Sequence, residues 1–178
     1  MKATNQFKLL LIGGLLVTGA ATAGDAMPEN PVTEDGVVSI TWQNPKDYTD
    51  IRSANMKKSR YERQLFETLT RNLNKEASKL LKPGQQLRMT VTNLDLAGDM
   101  RPTFGATPND IRVVKPVYPP RMSFSYQILE GEQVIMAGDE KLTDLGFMDS
   151  MPNISNKPYM YETKMLNDWL DKTLKPGS

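Results

Sequence analysis

The sequence predicts an α+β fold in which one mostly antiparallel sheet of four or five strands carries two helices on one face. Segments with apolar residues at alternate positions predict strands, and two longer segments with apolar residues at every third or fourth position predict helices. These segments follow one another in the order β-α-β-(β)-β-β-α. The most economical packing for that order is a single sheet covered by both helices.

The predicted strands share alternating apolar residues or a high content of β-branched residues. They are residues 37–42, 86–96, 111–114, 121–129 and 133–142, of which the third is short and optional. The turn Glu130-Gly131-Glu132 joins the last two strands. This arrangement predicts a β-hairpin near the end of the chain.

The two helices are predicted from their apolar stripes and their stop signals. Residues 56–81 form the first helix, and Pro83-Gly84 ends it. Its stripe contains Tyr61, Leu65, Leu69, Leu73, Ala77 and Leu80. Residues 158–174 form the last helix, with Pro158 in the first turn. The lysines and arginines of the first helix lie mostly away from its stripe, which predicts a basic face exposed to solvent.

The first residues have the pattern of an export signal. Lys2 and Lys8 give the start of the chain a positive charge, and the apolar run Leu9–Ala20 follows. That run is shorter than the roughly 20 residues that a bilayer span needs. Ala21-Thr22-Ala23 then provides small residues at the positions that signal peptidase recognises. We therefore expect cleavage between Ala23 and Gly24.

The domain organisation follows from this signal. Residues 1–23 are predicted as the signal peptide, residues 24–36 as a flexible, acidic lead segment, and residues 37–175 as a single α+β domain. We expect export, with the periplasm as destination. No stable membrane insertion is expected after processing.

The composition excludes several kinds of catalytic and metal site. The chain has 178 residues and contains neither cysteine nor histidine. Ser-His-Asp and Cys-His nucleophiles, disulfides and the usual zinc, haem and iron–sulfur sites are therefore excluded. An enzyme would depend on carboxylates, lysine, serine or tyrosine alone. We expect no cofactor, and the composition favours a non-catalytic protein.

A dense cluster of polar residues surrounds the loop that is predicted after the second strand of the domain. Asp95, Asp99 and Asp110 could converge to bind a hard cation or to form an acid/base pair. Alternatively, Asp95 and Asp110 could pair with Arg101 and Arg112 and hold the loop in place. We favour this second interpretation, because aspartates in loops usually serve turns and caps.

Candidate binding residues occur in the same region. Tyr118-Pro119-Pro120-Arg121 could present a tyrosine and an arginine on a rigid segment, although the prolines also suit the start of a strand. The candidate binding residues are therefore Arg101, Arg112, Tyr118 and Arg121. The basic face of the first helix could contact an anionic surface. Nucleic acid is not expected as a partner, because no aromatic residues are interleaved with the basic ones.

Several short motifs occur together over about residues 36–174. They are Trp42-x-x-Pro45, Leu94-Asp95-Leu96-Ala97-Gly98, Ile111-Arg112-Val113, Tyr118-Pro119-Pro120-Arg121 and Leu142-x-Asp144-x-Gly146-Phe147. In this combination the chain resembles the bacterial domain-of-unknown-function family 3016, a family of exported proteins in Gram-negative bacteria. The resemblance implies a periplasmic location, and it assigns no mechanism and no functional residues.

The combined interpretation is a non-enzymatic periplasmic domain that binds a partner in the cell envelope, either another envelope protein or an anionic surface. One alternative is a carboxylate-based or hard-cation-dependent enzyme that uses Asp95, Asp99 and Asp110. The other is a small-molecule or lipid carrier, which needs an apolar cavity between sheet and helices.

Overall fold

A computed structural model describes residues 27–103, 110–149 and 157–175. Within these ranges the α+β class is confirmed, with a five-stranded mixed sheet, a two-stranded sheet and two α-helices. The predicted signal peptide and its cleavage position between Ala23 and Gly24 lie outside the described residues. None of the described helices is both long enough and apolar enough to cross a membrane.

The secondary structure elements follow the predicted positions closely. The strands are β1 (Val32–Asp35), β2 (Val38–Trp42), β3 (Gln85–Asp95), β4 (Asp99–Pro102), β5 (Asp110–Val113), β6 (Arg121–Glu130) and β7 (Gln133–Thr143). The helices are α1 (Lys58–Leu80) and α2 (Met160–Leu174), and a short 3₁₀ helix spans Pro45–Asp47.

The main sheet has the strand order β1-β2-β3-β6-β7. Strands β2 and β3 are parallel, whereas the other three neighbouring pairs are antiparallel. The parallel pair arises because α1 connects β2 to β3, and such a helical crossover returns the chain in its original direction. The mostly antiparallel sheet is therefore confirmed, with this one parallel pairing as the difference.

Strand β1 corrects the prediction for part of the lead segment, which was expected to be flexible. Val32–Asp35 pairs antiparallel with β2, so that Val32 lies opposite Thr41. The Trp42 indole N–H donates to Thr33 Oγ1 at 2.8 Å, and the hydroxyls of Thr33 and Thr70 are 2.6 Å apart. Contacts with β2 and α1 therefore hold in place a segment whose own sequence contains few apolar residues.

The core lies between one face of the main sheet and the two helices. The predicted stripe of α1 is buried there through Leu65, Leu69, Leu73 and Ala77. On one side, Phe66 of α1 stacks on Trp42, with ring centroids 4.2 Å apart. On the other side, Trp169 of α2 makes edge-on contacts with Phe124 and Tyr126. The two helices thus share one face of the sheet, as predicted.

The long predicted loop contains a second, two-stranded sheet formed by β4 and β5. Asp99 lies opposite Val113 in this antiparallel pair. The predicted optional strand is present as β5, whereas β4 was not predicted. Gly98, which precedes β4, has a φ of 89°, and a Cβ at this position would lie 2.8 Å from the Val113 carbonyl oxygen. Only glycine fits there without displacing the small sheet.

Candidate functional site

Part of the predicted candidate set surrounds one surface depression of about 210 Å³. Its lining includes Asp95, Asp99, Tyr118 and Arg121, together with Asp50, which was not among the predicted candidates. Asp110, Arg101 and Arg112 do not line this depression.

Arg112 binds Asp50, which precedes α1, instead of one of the predicted aspartates. Its Nη1 donates to Asp50 Oδ2 at 3.1 Å, and its Nη2 donates to the Asp50 carbonyl oxygen at 2.8 Å. The Met100 N–H donates to the same Oδ2 at 3.1 Å. Asp50 has a φ of 50°, a left-handed conformation that aspartate tolerates better than most residues. Asp50 therefore ties the segment before α1 to both β4 and β5.

Arg101 pairs with its neighbour Asp99, with the Nε and Oδ2 atoms 3.1 Å apart. It also donates to the Tyr118 hydroxyl, and its guanidinium lies 5.6 Å from the centroid of the Tyr118 ring. The predicted partners Asp95 and Asp110 are therefore wrong for both arginines. The two arginines bind Asp99 and Asp50 instead.

Asp95 and Arg121 lie directly opposite each other on β3 and β6. Burial raises the pKa of the Asp95 carboxyl above its usual range, and the attraction of Arg121 offsets part of that effect. Asp110 lies apart from this pair, at the start of β5 and opposite Pro102. In residues 27–103, 110–149 and 157–175, no group of three or more acidic side chains is placed to hold a metal ion.

A buried carboxylate next to these residues was missed by sequence reasoning. Glu162 lies in the first turn of α2 and is 3% exposed, and its Oε1 accepts a hydrogen bond from the Ala97 N–H at 2.8 Å. Burial raises the pKa of the Glu162 carboxyl above its usual range, and the hydrogen bond from Ala97 and the charge of Arg112 oppose that shift. Glutamate is common in the first turn of helices, so no pattern marked this residue as unusual.

Replacing this carboxylate by its neutral isostere should change how stability depends on pH. A carboxyl whose pKa is higher in the folded than in the unfolded state stabilises the fold at low pH, and that contribution is lost as the pH rises past the unfolded pKa. Glu162→Gln keeps an acceptor for Ala97 but does not ionise. We expect its stability, relative to the original chain, to increase between about pH 4 and pH 7 in urea melts. A relative decrease over that range would contradict the assignment.

Glu162→Met provides the control for the hydrogen bond. This variant cannot accept from the Ala97 N–H, which would then be buried without a partner at a cost of about 1–3 kcal/mol. That loss should be present at both ends of the pH range, unlike the effect of Glu162→Gln.

A different surface is formed by β7, which is an edge of the main sheet. Among the described residues, no strand pairs with its outer side. Val134, Ile135 and Met136 near its start are 45%, 45% and 38% exposed. The pairing with β6 shifts at this point, so that Ile135 is an extra residue in a bulge. The regular part of the edge therefore runs from Met136 to Thr143.

A groove of about 370 Å³ lies between β7 and α2. Leu142, Met165 and Trp169 give it an apolar part. Its charged lining residues are Glu140, Asp144, Asp168 and Lys172. Side chains of β7 at even positions from Met136 onward lie on the inner face of the sheet, because Met136 and Leu142 pair with the buried residues Ile128 and Met122. Of these, Glu140 and Leu142 line the groove. The groove therefore continues the inner face of the sheet beyond its last strand.

The predicted basic face of α1 is present on the outside of the helix. Arg60, Arg63, Arg71, Lys75 and Lys79 are exposed. A wider groove of about 560 Å³ between α1 and α2 includes both basic and acidic residues. Its acidic residues Glu76, Asp168 and Asp171 each bind a lysine three or four positions away. The anionic surface remains a predicted partner for this face.

The observed architecture defines the class of this protein as a small α+β domain, with a mixed sheet covered on one face by two helices. A family model described as "Protein of unknown function (DUF3016)" matches residues 36–172. The chain therefore belongs to this family, which confirms the resemblance seen in its motifs. No curated protein and no solved structure matches the chain.

Proposed function

We propose that this protein is a non-enzymatic binding domain of the bacterial cell envelope, exported to the periplasm. Its ligand is an extended polypeptide segment of another envelope protein, which pairs with β7. The observation that carries the proposal is the unpaired edge of β7 beside the groove that α2 forms.

An extended polypeptide is the ligand class that fits such an edge. The outer side of β7 presents backbone N–H and C=O groups in a regular row, and another strand satisfies that row with its own backbone. Alternate side chains of the added strand would then lie beside α2 in the groove. Backbone pairing supplies affinity in this arrangement, and the groove selects among sequences.

The contacts of the carboxylates support binding over catalysis. Of the three aspartates on which an enzyme would rely, Asp99 is bound by Arg101, Asp95 lies opposite Arg121, and Asp110 lies apart, opposite Pro102. In the part of the chain that the structure describes, these three carboxylates therefore do not converge on one site. The grooves beside α2 are lined by several charged residues, which suits a polypeptide better than the lipid that a carrier would hold.

A partner protein is favoured over a second copy of this chain because of the charges on β7. Two antiparallel copies of β7 would place the inward side chains of one copy against the groove of the other. The inward positions 136, 138, 140 and 142 include an acidic residue and no basic one, so a second copy does not complement the acidic groove. We therefore expect the isolated chain to sediment as a monomer. A dimer that dissociates when β7 is altered would identify the second copy as the occupant and contradict the proposal.

Site-specific photo-crosslinking tests the proposed surface. A benzoylphenylalanine placed at Ala137 or Lys141, both exposed on β7, should capture a polypeptide in periplasmic extract, whereas the same group at Arg63 on α1 should not. A synthetic peptide copied from the captured segment should then slow amide hydrogen exchange in β7 but not in β1, because new strand pairing protects the edge it covers. Equal capture from Arg63, or protection that omits β7, would refute the proposal.

A further inference from the structure

We propose that the polypeptide bound at β7 carries a basic residue against Glu140, with apolar residues two positions away on either side. This inference rests on the proposed function and adds the sequence pattern of the ligand. It is carried by the charges of the groove and by the alternation of side chains along β7.

The acidic groove residue that lies on β7 itself is Glu140. It lies on the inner face of β7, opposite Phe124, and among the described residues its carboxylate has no salt bridge. Tyr126 pairs with Gly138, two positions before Glu140, so the two side chains are diagonal neighbours on the same face of the sheet. Burial and then the negative charge of Glu140 raise the pKa of the Tyr126 hydroxyl above its usual range. By contrast, Asp168 is bound by Lys164, which does not line the groove.

The groove as a whole is acidic. Glu140 and Asp144 line it from β7 and from the loop after β7, whereas Asp168 of α2 is paired with Lys164, and Lys172 is the one basic lining residue. A cationic side chain in the groove would therefore be attracted, whereas an acidic one would be repelled. Because the site is partly shielded from water, this difference is larger than it would be on an open surface.

Apolar positions flank Glu140 on the same face of β7. Gly138 precedes it by two positions, where the Tyr126 ring lies so close that a Cβ would be 2.9 Å from that ring. Leu142 follows by two positions and packs against the core. A strand paired with β7 would place its neighbouring inward side chains beside Tyr126 and beside Leu142 with Met165. Apolar side chains fit both places.

Trp169 contributes an aromatic surface to the groove. Its side chain lines the groove and is 6% exposed, and its ring makes edge-on contacts with Phe124 and Tyr126 of β6. Apolar side chains of a bound strand would extend this aromatic cluster.

The test uses synthetic peptides of roughly ten residues, a length that covers the regular edge of β7. They have valine at inward positions and threonine at outward positions, and they differ only in one central inward residue, which is arginine, glutamine or glutamate. We expect the arginine peptide to bind the full chain about tenfold more tightly than the glutamate peptide, with glutamine between them. Fluorescence anisotropy measures the three dissociation constants.

Two neighbouring positions of β7 provide matched variants. Glu140→Gln should remove most of the preference for arginine over glutamate, and Glu140→Lys should invert it. Asp139→Asn removes the adjacent charge, which points to the other face of the sheet opposite Ser125, and should leave the arginine-to-glutamate ratio unchanged.

The outcomes separate the two proposals. If all three peptides bind equally and protect β7 from exchange, the basic residue is refuted while strand addition stands. The same holds if an arginine preference survives in Glu140→Gln. If none of the peptides binds, strand addition at β7 is refuted together with this inference.

Discussion

Leu69→Ala is expected to lower the free energy of unfolding by about 2–5 kcal/mol. Leu69 lies in the middle of α1, and its side chain is fully buried between this helix and the sheet. Truncation removes apolar contacts and leaves a cavity that the flanking core residues can fill only in part, because both sheet and helix are held by many other contacts. Urea melts followed by circular dichroism measure the change.

Lys75→Ala is the matched control on the same helix. Lys75 is exposed on the outer side of α1, so this change should alter stability by no more than about 0.5 kcal/mol. Alanine favours helix slightly more than lysine, so the change in helix propensity does not destabilise Lys75→Ala. The variant also removes no buried contact, unlike Leu69→Ala. Similar losses in the two variants would mean that α1 does not bury the predicted stripe.

Most of the fold could be predicted because its elements carry strong local patterns. The stripe of α1 contains buried leucines at the expected spacing, and β3 and β6 alternate over most of their length. The turn Glu130-Gly131-Glu132 predicted β7 as the partner of β6. Strand β1 lacked such a signal, since it is short, contains two acids and depends on β2 and α1 for its conformation. The parallel pairing of β2 with β3 was also not predicted, because it results from the α1 crossover between the two strands and not from the sequence of either strand.

The candidate site was predictable only in its general location. The motifs around Asp95, Asp99, Tyr118 and Arg121 do meet at one depression. However, the sequence does not indicate which aspartate binds which arginine, because the paired residues belong to segments that come together only in the folded protein. Asp50 and Arg112 are far apart in sequence, and their contact exists because the segment before α1 lies against β5.

The sequence also did not show that β7 is an edge strand of the sheet. The turn Glu130-Gly131-Glu132 predicts that β7 pairs with β6, but it does not say whether the other side of β7 remains unpaired. Glu140 and Trp169 become neighbours of one groove only when α2 packs on the sheet. The proposed binding surface is thus a product of tertiary structure.

Asp50→Asn is expected to destabilise the protein by about 2–3 kcal/mol. The carboxylate of Asp50 accepts from Arg112 and from the Met100 N–H, and its side chain is 15% exposed. Asparagine has nearly the same shape and also tolerates the left-handed backbone conformation at this position. The variant therefore removes the charge without adding backbone strain, and it leaves the guanidinium of Arg112 partly buried without its counter-ion.

A double-mutant cycle with Arg112→Met isolates the pair. If the two side chains act mainly on each other, the double variant should be more stable than the sum of the single losses predicts, with a coupling energy of about 1 kcal/mol or more. Asp99→Asn is the control, because its partner Arg101 is about half exposed and the pair should contribute no more than about 0.5 kcal/mol. Additive losses for Asp50 and Arg112 in urea melts would show that their contact does not hold the small sheet to the segment before α1.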